Sequence, residues 1–168
     1  LDFIKASNPE KIFTTNSAAK DRLSRLGLKP NQIYLCGTIP RSFDSSKSKD
    51  TSSIQQKNLI IFFGTPYYNF PYKIFLEKVD EAFQLLKRNP RICVLGRTQN
   101  QSGLKILRKE AARKKINIEE TGLIVSEEVS RKLQSASLGV STTPFDAIGK
   151  SSATAAMLEH GLPVIAHD

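Results

Sequence analysis

Gly149-Lys150-Ser151-Ser152 is the segment of this chain with the clearest chemical meaning. It precedes a helix-forming run, so it reads as the mouth of a helix that extends from about Lys150 to His160 and stops at Gly161. The first turn of a helix has N–H groups without intrahelical partners and a partial positive charge, and both suit a phosphate. Gly149 lets the backbone come close, Lys150 adds a full charge, and Ser151 and Ser152 add hydroxyl donors. The plainer use of the same residues is helix capping by a serine.

The segment also half-matches a P-loop, Gly-x-x-x-x-Gly-Lys-Ser/Thr, but the position of the first glycine is held by Pro144. Further candidates stand where apolar runs end: Gly64-Thr65-Pro66, Gly96-Arg97-Thr98, Thr142-Thr143-Pro144-Phe145 and His167-Asp168. Gly64 and Gly96 permit tight turns or close approach to a ligand, and the Arg97 guanidinium has the reach to meet a phosphate. Turn formation alone would account for the glycines, and a surface role for the arginine. Asp146, Asp168, His167 and Glu159 are the few acid/base candidates, and an exposed carboxylate is the ordinary expectation for Glu159. Asp146, Asp168, Gly96 and Thr143 rank below Gly64, Thr65, Arg97 and the 149–152 segment as ligand residues.

These positions matter only if a scaffold brings them together, and the apolar pattern supplies one. Ile12–Thr15 reads as a strand, Ser17–Leu26 as a helix ended by Gly27, and Ile33–Cys36 as a second strand. Residues 41–58 are polar and read as a linker. Strands are then expected at Leu59–Gly64, Arg91–Gly96, Gly122–Val125, Leu138–Thr142 and Leu162–Ala166. Between them fall a helix with Phe75, Val79, Ala82, Phe83 and Leu86 on one face, a basic helix from Leu104 to Lys115, and a helix capped by Ser126 that buries Val129 and Leu133. Strands that are apolar throughout suit a parallel sheet covered on both faces. The expected fold is therefore α/β, a Rossmann-like doubly wound parallel sheet over 59–168, preceded by a β-α-β piece within 1–40. Ligands of such sheets bind beyond the carboxyl ends of the strands.

Composition narrows the function classes. The 168 residues are 39 % apolar and 24 % charged, with a net charge of +9. No apolar run reaches the roughly 18 residues of a membrane span. Cys36 and Cys93 lie in apolar runs and read as reduced core thiols, and no Cys/His cluster has metal-ligand spacing. Lys105, Arg108, Lys109, Arg113, Lys114 and Lys115 crowd one helix without aromatics to stack bases, which speaks against nucleic acid and for a solvated face. A peripheral contact with a membrane surface stays open.

Ala153 to Asp168 resembles the signature of GT-B glycosyltransferases of the glycogen synthase and bacterial capsule type, where a helix ending near Glu-Ala-Met-Ala-x-Gly runs into Gly-Leu-Pro-Val-Ile-Ala. Gly161 to Ala166 matches residue by residue. Ile60–Gly64, Val94–Gly96, Ser126–Ala136 and Leu138–Thr142 are similar to that family's C-terminal domain in order and spacing, and residues 11–39 resemble the last β-α-β of its N-terminal domain. With Gly161 as the anchor of the comparison, the family's usual pair of glutamates falls here on Ile148 and Ala156, and its Gly-Arg…Lys-Gly motif is absent after Gly64. The resemblance implies a truncated donor-binding half, with residues 1–40 as the end of the acceptor domain. It implies a nucleotide-diphosphate-sugar substrate without a separate cofactor or metal, and a sugar or lipid-linked acceptor. It also implies a role in polysaccharide or glycoconjugate synthesis in the cytoplasm or at the inner face of the membrane, and little transferase activity for these residues alone. The alternatives are a GT-B relative such as a sugar-nucleotide epimerase, or a non-catalytic Rossmann-like nucleotide-binding module.

Overall fold

The computed structural model describes residues 11–14, 17–33, 39 and 58–167. The first unit is small: strand β1 (Ile12–Thr14), helix α1 (Ser17–Arg25) and strand β2 (Pro30–Gln32), with the strands paired in parallel. The second strand begins three residues before the expected Ile33. The short turn after Gly27 returns the chain to β1 at once, so Ile12 pairs with Pro30. Proline is tolerated there because it opens the strand. Positions 34–36, with Cys36, and the linker through 57 lie outside the described residues.

The second unit runs β3 (Leu59–Phe63), α2 (Tyr72–Leu85), β4 (Arg91–Leu95), α3 (Gln101–Arg113), β5 (Asn117–Gly122), α4 (Ser126–Ser135), β6 (Leu138–Val140), a 3-10 helix (Phe145–Lys150), α5 (Ser152–Glu159) and β7 (Val164–Ile165). Its five strands are parallel in the order β5-β4-β3-β6-β7. This is the expected Rossmann-like doubly wound sheet. Winding runs outward from β3 in one direction to β5 and from β6 in the other to β7. The crevice beyond the ends of β3 and β6 is therefore the topological switch point.

Alternate side chains of the central strands feed two cores. Ile60, Phe62, Ile92 and Val94 pack with Tyr72, Leu76 and Val79 of α2 and Leu104 and Leu107 of α3. Leu59, Ile61, Cys93 and Leu95 pack on the other face with Val129 and Leu133 of α4 and Ala156 and Met157 of α5. Burial on both faces explains why β3 and β4 are uninterrupted apolar runs. Gly139 on β6 sets the seat of α5. A Cβ there would stand 2.7 Å from Met157 Sδ and 3.1 Å from Leu162 Cδ2, so glycine gives these side chains room to pack directly on the strand.

Several local expectations are corrected. The apolar stripe of α2 is Tyr72, Phe75, Leu76, Val79 and Phe83, while Ala82 and Leu86 are exposed. The third strand is Asn117–Gly122, not Gly122–Val125, and Leu123 and Val125 are 85 % and 65 % exposed. β5 is an edge strand, so it can carry charge: Glu119 pairs with Lys132 at 2.7 Å and Glu120 with Arg108 at 2.6 Å. Val125, not Ser126, caps α4, and no side chain bonds the helix end. The helix expected from Lys150 starts one residue after a break, because Phe145–Lys150 closes as a separate 3-10 turn and Ser151 caps α5.

Candidate functional site

A cavity of about 370 Å³ opens at the switch point, between the carboxyl ends of β3 and β6 and the mouth of α5. Gly64 and Thr65 line it from the turn after β3, Ser141 to Thr143 from the end of β6, and Lys150 to Thr154 from the helix mouth. Phe63, Ala147 and Met157 add apolar surface. Gly64 has φ +87°, a conformation that costs other residues about 1–2 kcal/mol, and it turns the chain sharply over the cavity. Among the described residues, Lys150 is the one cation of the lining and no carboxylate belongs to it.

The hydroxyls are organised. Ser151 Oγ accepts from the Thr154 N–H at 3.1 Å and lies 2.8 Å from Thr154 Oγ1, which is also 2.8 Å from Ser141 Oγ. Thr154 has a single hydroxyl proton, so it donates to one serine and accepts from the other. When Ser141 donates to Thr154 and Thr154 to Ser151, the Ser151 proton is left for the cavity. Ser151 thus caps the helix, and in that proton order it is also the terminal donor of the hydroxyl chain. It occupies one of the open amides of α5, while those of Ser152 and Ala153 have no backbone or side-chain acceptor among the described residues.

The loop after β3 forms a second wall. Thr142 Oγ1 accepts from the Tyr67 N–H at 3.1 Å and donates to the Thr65 carbonyl at 3.4 Å. The Tyr72 hydroxyl donates to the Tyr67 carbonyl at 2.5 Å. Desolvation by burial raises the Tyr72 phenol far above its ordinary value and keeps it a donor.

Of the residues expected from sequence, Gly64, Thr65, Thr143, Lys150, Ser151 and Ser152 line the cavity. Gly149 does not: it lies within the 3-10 turn and is exposed. A P-loop would cradle phosphate with an open loop here, and the 3-10 turn takes its place. Arg97 and Gly96 are also outside the lining. They follow β4, on the far side of β3 from the cavity. There the Gly96 N–H donates to Thr121 Oγ1 at 3.1 Å and draws the chain toward β5. Asp146 is exposed outside the lining, and Asp168 lies outside the described residues. The His167 ring packs edge-on against Phe70, with centroids 5.6 Å apart. His160 is a core residue at the opposite end of α5, with Nε2 2.9 Å from Ser130 Oγ and Nδ1 donating to the Ala156 carbonyl at 2.7 Å.

Thr142 and Thr154, which stand in segments that the sequence offered, also line the cavity, whereas Ser141 and Tyr67 belong to it without having been singled out. A signal existed for Ser141: a polar residue that continues a buried strand points to the functional end of a sheet. Ile148 and Ala156, the positions where the resemblance would put a pair of glutamates, are apolar, and Ala156 is buried in the core. Among the described residues no three His, Cys, Asp or Glu side chains converge as a metal site requires, and no helix is long and apolar enough to cross a membrane. The chain matches no family model, no curated protein and no solved structure.

Proposed function

We propose that this chain is the part of a GT-B glycosyltransferase that binds the nucleotide-diphosphate-sugar donor, with the diphosphate in the switch-point cavity. The observation that carries the reading is the lining itself. One lysine, a chain of hydroxyls and the open amides of Ser152 and Ala153 converge where no carboxylate among the described residues opposes an anion. Cations and oriented N–H groups of this kind stabilise charge as it develops on a leaving phosphate. The acceptor, a sugar or lipid-linked sugar, belongs to the other half of such an enzyme.

The same lining favours a second reading, a nucleotide-binding module without group transfer, because among the described residues it offers no acid or base beyond Lys150 and the Tyr67 phenol. Calorimetric titration with UDP, GDP and ADP tests both. Diphosphate binding that Lys150→Ala weakens about tenfold supports them, in line with the loss of one charge-assisted contact. The absence of binding by all three nucleotides defeats them. Turnover of a nucleotide sugar by the full protein separates transfer from binding alone.

A further inference from the structure

We propose that the Tyr67 ring is the stacking platform for the planar base of the nucleotide, a role that rests on the diphosphate reading of the cavity. Tyr67 lines the cavity yet is 48 % exposed, and its hydroxyl has no hydrogen-bonding partner among the described residues. The other aromatics of this region behave differently. Phe70, Tyr72 and Phe75 are buried and pack on one another and on Phe62.

An exposed tyrosine on a loop is ordinary. What sets this one apart is the rigidity beneath it. Thr142 holds its N–H and Tyr72 holds its carbonyl. Gly103 presses on the loop from α3, where a Cβ would fall on the Pro66 carbonyl and within 2.8 Å of the Tyr67 carbonyl carbon. A ring with two side-chain torsions on a backbone held at three points loses little further entropy when a base stacks on it. The wall it forms adjoins the hydroxyls and Lys150, so one ligand can place its phosphates in the cavity and its base against the ring. Tyr68, the next residue, is 67 % exposed and stands outside the lining, which makes it the matched control.

The test compares a base-bearing with a base-free probe by calorimetry: UDP, GDP and ADP against inorganic pyrophosphate, on the wild type, Tyr67→Ala, Tyr67→Phe and Tyr68→Ala. Aromatic–base stacking predicts a loss of roughly tenfold or more for the nucleotides in Tyr67→Ala. Pyrophosphate affinity should be unchanged in that variant, and Tyr67→Phe and Tyr68→Ala should bind both probes as the wild type does. The chain has four tyrosines and no tryptophan, so quenching of tyrosine fluorescence by the nucleotide, lost in Tyr67→Ala, gives an independent readout. Equal losses for nucleotide and pyrophosphate, or no loss for either, overturn the stacking role while leaving the diphosphate site standing. Failure of every probe to bind the wild type overturns both.

Discussion

The hydroxyl of Thr154, in the first turn of α5, lies 2.8 Å from that of Ser141 at the end of β6, and the pair is buried. This link joins the mouth of the helix to the strand whose end floors the cavity. Thr154→Val keeps the shape and removes the hydroxyl, leaving Ser141 Oγ and Ser151 Oγ short of a partner. The expected cost is about 1–2 kcal/mol in urea denaturation, together with weaker nucleotide binding. Thr154→Ser, which restores the hydroxyl, should recover most of the binding. A Thr154→Val protein with unchanged nucleotide affinity would show that the hydroxyl chain does not serve the ligand.

Gly103→Ala should be among the more damaging single-methyl additions in the domain. The added carbon falls on the Pro66 carbonyl, a backbone atom that cannot swing aside, so α3 or the loop after β3 must move. Overpacking of this kind costs about 1–3 kcal/mol. Since the loop carries Tyr67 and contacts Thr142, the variant should lose nucleotide affinity as well as stability. Ala112→Gly, on the exposed part of the same helix, should cost only about 1 kcal/mol and leave binding alone.

Arg97→Ala should bind nucleotides as the wild type does, while Lys150→Ala should not. Both residues are cations near carboxyl ends of strands, but only Lys150 reaches the crevice between β3 and β6. A loss of affinity in Arg97→Ala as large as that in Lys150→Ala would mean that the ligand spreads across the end of β4.

Cys93 provides a pH-dependent prediction. Burial in the core raises its thiol from an ordinary 9.0 to about 11. The unfolded chain ionises first, so this group's contribution to stability is complete below pH 9 and is lost as the pH rises through 11. The wild type should therefore lose about 2 kcal/mol more than Cys93→Ala between pH 8 and 11 in denaturant titrations. Parallel pH profiles for the two proteins would contradict the burial argument.

Several parts of this architecture were legible in the residue order. β3 and β4 could be read because strands buried on both faces leave a continuous apolar signature, and Gly161, with φ +75°, could be read because a left-handed helix end favours glycine. The phosphate-like mouth of α5 was legible as a type of chemistry, in Lys150, Ser151 and Ser152. β5 was not, since an edge strand meets water and counter-charges on α3 and α4, and Glu119 and Glu120 erase the apolar pattern. The membership of the site was decided only by the fold. Strand order puts the end of β6 beside that of β3 and the end of β4 beyond it, which admits Ser141, Thr142 and Thr154 and leaves out Arg97. Spacing along a chain records local conformation, whereas neighbours across a sheet depend on how the whole sheet is wound, and that order follows from the joint burial of two faces rather than from any one segment.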